Sequence, residues 1–99
     1  MKRTEKKANL IEKERIPMLH FSQEDVLKDP AARSIRYYEA NRATILGNVY
    51  HNKALITFCT DDGDVKQVET TIWSYDDKFV LLKSGTFLPL KSILKIENC

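Results

Sequence analysis

Trp73 and Tyr75 are the side chains in this chain best suited to binding chemistry. An exposed pair of this kind could stack nucleic-acid bases, at about 1–3 kcal/mol per base. It could equally anchor a protein, since tryptophan and tyrosine are enriched at the energetic centres of interfaces. Strict strand alternation places both on the face shared by Gln67, Glu69 and Thr71, away from Val68, Thr70 and Ile72. A helix lying over that face would bury Trp73, and Trp73→Ala would then cost about 3–5 kcal/mol. Phe79 and Phe87 extend the aromatic surface, and Lys91 and Lys95 supply cations. These six residues form the candidate partner-binding or RNA-binding set.

Other reactive side chains do not form a catalytic pattern. Asp61, Asp62 and Asp64 surround Gly63, but they lack calcium-loop spacing, and acidic residues with glycine are what a hairpin turn uses. His20, His51, Cys59 and Cys99 have no paired metal-ligand spacing. Cys59 with His51 could be a nucleophile and its base, yet no third orienting group accompanies them. The three glycines are too widely separated for a phosphate-cradling loop. The sequence therefore points to no catalytic residue, no cofactor, no metal and no small-molecule substrate, and the expectation is a protein that is not an enzyme.

Positioning the aromatic set falls to short apolar segments between Lys53 and Glu97, separated by turn signals. Ala54, Ile56 and Phe58 alternate with Leu55, Thr57 and Cys59, and the acidic turn leads into Val65 to Tyr75. Asp76-Asp77-Lys78 is short enough for a hairpin loop. Phe79 to Leu82 is apolar on both faces, which predicts cover on both sides. Ser84-Gly85 turns into Thr86 to Leu90, where Pro89 lacks an amide donor and so predicts an edge strand. Ile93, Leu94 and Ile96 supply a last strand that closes the sheet on itself. The fold class is mainly β with an N-terminal helix, the strands forming a small five-stranded barrel over about residues 53–97.

Before the strands, residues 1–16 read as a flexible charged tail, and Ile16 to Phe21 as an extended apolar segment. Ser22 with Asp25 suggests a capped helical turn through Lys28. Asp29-Pro30 then starts a longer helix, Asp29 as cap and Pro30 in the first turn. The helical segment spans about residues 22–46, with Gly47 as its stop. A competing reading makes Thr44 to Val49 a strand with a Gly47-Asn48 turn. Ala31, Ile35, Tyr38 and Ile45 recur at helical spacing, and this stripe is expected to pack on the strands near Leu55, Trp73 and Phe79.

Ninety-nine residues suit one domain, here residues 17–99, able to fold without staples. The two cysteines form no disulfide framework and the first residues lack a signal-peptide core, so the expected compartment is the cytoplasm. No apolar run approaches the roughly 18 residues of a membrane span. The net charge is +2, yet Met1 to Ile16 holds six Lys/Arg against three Glu. The basic excess thus sits on the tail and leaves the body without a nucleic-acid stripe.

Ser74-Tyr75-Asp76-Asp77-Lys78-Phe79-Val80-Leu81-Leu82-Lys83, followed by Leu88-Pro89-Leu90-Lys91-Ser92-Ile93, resembles the Sm-like family, and the likeness covers Pro30 to Glu97. It implies a helix followed by a strongly bent five-stranded barrel, ring assembly and binding of single-stranded RNA. The family's bending glycine would fall near Thr70, and of its short RNA-contacting element only Lys91 corresponds. SH3-like barrels are equally compatible. The Gly47-Asn48 and Val68-Glu69-Thr70-Thr71-Ile72-Trp73 patterns also resemble small uncharacterised bacterial proteins. The leading expectation is an interaction module that binds a protein partner or forms a homo-oligomer, with single-stranded RNA as the alternative ligand.

Overall fold

The helix begins where the sequence places it. In the computed structural model, which describes residues 10–98, α1 spans Pro30–Tyr50, and the Asp29 carboxylate accepts a hydrogen bond from the Ala31 amide at 3.1 Å. Its end differs from expectation. Gly47 lies inside the helix, and the chain leaves it at His51, whose backbone is left-handed (φ 60°) and whose amide donates to the Gly47 carbonyl. The competing strand over Thr44 to Val49 does not form. Residues 22–28 are not helical either. The Ser22 hydroxyl accepts from the Glu24 amide and the Asp25 carboxylate from the Leu27 amide, which are two local turns.

The described residues also form seven strands: β1 Leu10–Ile11, β2 Ala54–Cys59, β3 Val65–Thr70, β4 Ile72–Tyr75, β5 Phe79–Leu82, β6 Phe87–Pro89 and β7 Ile93–Asn98. They make a four-stranded sheet in the order β1-β3-β2-β7 and a three-stranded sheet in the order β4-β5-β6. The ladders form these two sheets and no closed ring. Only Thr71 separates β3 from β4, so one nearly continuous run passes from the first sheet to the second. As Pro89 requires, β6 is an edge strand.

Alternation holds on β2, where Ala54, Ile56 and Phe58 are buried with Val68, Ile72, Val80, Leu82, Leu88, Ile93 and Ile96 in one core. Upstream of the helix the chain contributes more than expected. Leu10–Ile11 pairs in parallel with Gln67 and Val68. Lys13–Met18 forms a 3-10 turn that includes Pro17 and buries Ile16, so residues 10–16 are part of the fold and Ile16 to Met18 is not extended. Phe21 follows and packs against Phe58 with ring centroids 6.1 Å apart. The rest of the proposed tail, residues 1–9, lies outside the described residues.

The helix docks with the opposite face from the one expected. Arg36, Ala40, Ala43 and Gly47 are buried, whereas Ala31, Ile35, Tyr38 and Ile45 face solvent. Small residues let the helix axis come close to the strands. A Cβ on Gly47 would stand 2.7 Å from the Ile72 carbonyl oxygen, so no larger residue fits there without a shift. The helix packs mainly on β4 and β7, the strands at the two sheet edges that face it.

Candidate interaction site

The six candidate residues separate into three places, and a bulge in β4 is the first reason. Ile72 pairs with Leu82 but Ser74 pairs with Leu81, so Trp73 is an extra residue in its strand. One inserted residue reverses the parity of everything after it. Trp73 stays 44% exposed as alternation places it, whereas Tyr75, beyond the bulge, turns toward the helix and no longer shares the face of Trp73. The Tyr75 ring meets Tyr37 edge-on at 5.1 Å, and its hydroxyl donates to the Asn41 side-chain oxygen at 2.8 Å. Burial, with the neighbouring Tyr37, pushes the Tyr75 phenol up from its ordinary value. Tyr75 is thus a packing residue that fastens the helix, and Trp73 has no stacking contact with it.

Phe79 and Phe87 do come together. On β5 the buried Val80 and Leu82 alternate with Phe79 and Leu81, and on β6 the buried Leu88 sits between Phe87 and Pro89. Phe79 pairs across the ladder with Pro89 and Leu81 with Phe87, which puts all four on one outer face. The two phenyl rings meet edge-on at 5.9 Å, yet Phe87 remains 59% exposed. The expectation that β5 is covered on both sides is therefore corrected: its inner face is core and its outer face is open. Ser74 lies beside Leu81 and brings the Trp73 bulge to the same sheet face.

Lys91 follows β6 in the 3-10 turn Leu90–Ser92, and its ammonium donates to the Gln23 carbonyl oxygen. Beside it lies a cleft of about 520 Å³, lined among others by Leu19, His20, Phe21, Phe79 and Pro89. Lys95 is elsewhere, on β7 in the other sheet, with its ammonium 3.7 Å from the Glu97 carboxylate. Near the aromatic pair both signs of charge occur, with Asp77, Lys78 and Lys91 lining the cleft beside Phe79. The Asp76 carboxylate accepts from the Phe79 and Lys78 amides at 2.8 Å each, and these bonds hold its pKa below the ordinary value.

The acidic loop behaves as a turn. The Asp62 carboxylate accepts from the Thr60 hydroxyl and the Asp64 amide, and Gly63 takes φ 89°. His51 and Cys59 flank opposite ends of β2, a strand's length apart, and burial pushes the Cys59 thiol up. Among the described residues no three His, Cys, Asp or Glu side chains gather into a metal-holding group, and no helix is long and apolar enough to cross a membrane.

Sequence reasoning missed the cleft and the ion pair between buried Arg36 and partly buried Asp25. The signals were present: Phe21 is an apolar residue with no place in the strand pattern, and Arg36 falls in line with Ala40, Ala43 and Gly47 at helical spacing. Compared with protein-family models, with curated proteins and with solved structures, the chain finds no significant match.

Proposed function

We propose that this protein is a non-enzymatic small-barrel interaction module of the cytoplasm, which binds a protein partner or its own copies through the outer face of the β4-β5-β6 sheet. The observation that carries the reading is the open apolar surface of Phe79, Leu81, Phe87 and Pro89, flanked by Trp73. Aromatic groups held by a rigid sheet lose little entropy on binding, and a patch of this kind on a small domain is characteristic of an interface. Two features support the finer assignment to an Sm-like or SH3-like barrel. A single bent run through Thr71 is shared by both sheets, and a 3-10 turn separates the last two strands.

The lysines support a protein ligand over RNA. Lys91 is engaged with a carbonyl oxygen, Lys95 lies on the other sheet beside a carboxylate, and Asp76 is adjacent to Phe79. The test is to compare the wild type with Phe79→Ser/Phe87→Ser by light scattering, by protein co-purification, and by titration with a single-stranded RNA at low salt. Loss in the variant of an assembly or of a stoichiometric protein partner is the expected result. RNA binding abolished by the same substitutions would replace the proposal with the RNA alternative, and a variant unchanged in all three measurements would remove the face from consideration.

A further inference from the structure

Helix α1 has a second apolar face that its own fold leaves unused. Opposite the buried Arg36, Ala40, Ala43 and Gly47, the residues Ala31, Ile35, Tyr38, Arg42, Ile45 and Val49 are all exposed. Ile35, Tyr38, Ile45 and Val49 are each more than half exposed. Successive members of this stripe are separated by four and three residues in strict alternation along the whole helix. That is the narrow seam of helix-on-helix packing, with a period of about 3.5 residues, and not the wider face by which a helix beds onto a globular body. The body is already served by the small-residue face, so packing within one copy does not account for the stripe.

The alternating spacing of the seam is symmetric about the level of Ala40, so an antiparallel second copy can match it position for position. Tyr38 and Arg42 lie equally far on either side of Ala40, as do Ile35 and Ile45, and as do Ala31 and Val49. We propose that α1 docks antiparallel on α1 of a second copy of this chain, about a twofold axis at the level of Ala40. Each Arg42 then lies over the Tyr38 ring of the other copy, each Ile35 meets an Ile45, and each Ala31 meets a Val49. Every contact occurs twice, so the interface is isologous and closes at a dimer.

Charge favours this arrangement over the parallel one. Arg42 is the only charged residue in the seam, and a guanidinium is attracted to the face of a tyrosine ring. In a parallel, in-register pair the two Arg42 side chains would face each other, which like charges disfavour. The surface is also shaped for it. Tyr38, Asn41, Arg42 and Ile45, together with Leu46, frame a depression on the helix. Four residues at this spacing form the hole that receives a knob in helix packing, and the antiparallel register delivers Tyr38 of the other copy to it. The helix surface and the sheet face are separate, so each stands without the other.

Light scattering across protein concentrations should show a monomer–dimer equilibrium. Ile45→Asp should raise the dimer dissociation constant at least about tenfold, with helicity unchanged, and with melting temperature unchanged at concentrations where the wild type is monomeric, because the side chain is exposed in the single copy. Register is read in a Cys59→Ser/Cys99→Ser background by mixing an Ile35→Cys protein with an Ile45→Cys protein under mild oxidation. The antiparallel dimer links one kind to the other, since a disulfide needs Cα atoms within about 7 Å, and leaves each kind alone unlinked. A monomer at every concentration, an Ile45→Asp dimer as tight as the wild type, or Ile35→Cys copies linking to one another would each overturn the proposal. A dimer abolished by Phe79→Ser/Phe87→Ser and untouched by Ile45→Asp would also refute it while leaving the sheet-face reading intact.

Discussion

Gly47 and Ile72 touch so closely that the helix can carry no side chain there: a Cβ would stand 2.7 Å from the Ile72 carbonyl oxygen and 3.0 Å from Thr71 Cγ2. Alanine is the better helix former by about 1 kcal/mol, so propensity alone predicts that Gly47→Ala stabilises. The obstructing atom belongs to backbone and cannot rotate away, and overpacking costs about 1–3 kcal/mol. Set against the propensity gain, this leaves Gly47→Ala lower in stability by up to about 2 kcal/mol in urea unfolding. A stabilised variant would show that helix and strand separate freely.

Arg36 and Asp25 supply a pH-dependent tether. The guanidinium donates to both Asp25 carboxylate oxygens, at 2.8 and 2.7 Å, and to the Ile93 carbonyl at 3.0 Å. Burial pushes the Asp25 carboxyl up, but the bonds from Arg36 and the Leu27 amide, with the charge of Arg33, outweigh it and hold the pKa below the ordinary value. A carboxylate lowered on folding contributes stability that is full above its unfolded pKa, about 3.9, and is lost as pH falls through the folded value. Asp25→Asn should cost about 3 kcal/mol near neutral pH, since it leaves a buried guanidinium without its counter-charge. It should also flatten the acid limb of stability against pH. An acid limb as steep as that of the wild type would assign the effect to other carboxylates.

What the sequence made legible followed from single-residue chemistry. Asp29-Pro30 marked the helix start, Pro89 the edge strand, and the Ala54, Ile56, Phe58 alternation the core. The misreadings have physical causes. Gly47 resembled a stop because glycine favours left-handed caps, yet here it serves close packing, and His51 takes the left-handed position. Burial of apolar area favours turning the large apolar residues of α1 inward, but closeness to two strand edges selects Ala40, Ala43 and Gly47. Alternation alone puts Tyr75 beside Trp73, because a bulge leaves no mark in a pattern of alternating residues. For the candidate site this means that the sequence offers Phe79 and Phe87 only as members of an aromatic outer surface, while their edge-on contact, the face of Tyr75 and the isolation of Lys95 carry no mark in it.

Trp73 offers a direct readout of the sheet face because it is the only tryptophan in the chain. Being half-exposed at a bulge, it should cost less than about 2 kcal/mol on replacement by alanine, below the about 3–5 kcal/mol of a buried aromatic. Its emission should be partly accessible to acrylamide, and should shift to shorter wavelength when a partner covers the β4-β5-β6 face. A Trp73→Ala protein that fails to fold would mean that the indole belongs to the core.

The final expectation concerns how helix side chains guard strand edges. Glu39 accepts the Ile96 amide at 2.9 Å, Arg36 donates to the Ile93 carbonyl, and the Asn48 side chain donates to the Trp73 carbonyl at 3.2 Å. The first two groups belong to the edge of β7 and the third to the edge of β4, so α1 uses its flanks to satisfy backbone that an open sheet would leave ready to pair with another chain. Glu39→Ala leaves the buried Ile96 amide without its acceptor, a loss of about 1–3 kcal/mol. Glu39→Gln keeps an acceptor oxygen in reach and should cost clearly less. Hydrogen exchange at the Ile96 amide should accelerate in Glu39→Ala, with aggregation at lower denaturant than the wild type. Equal protection of that amide in the wild type and in Glu39→Ala would show that the edge of β7 is sealed by packing alone.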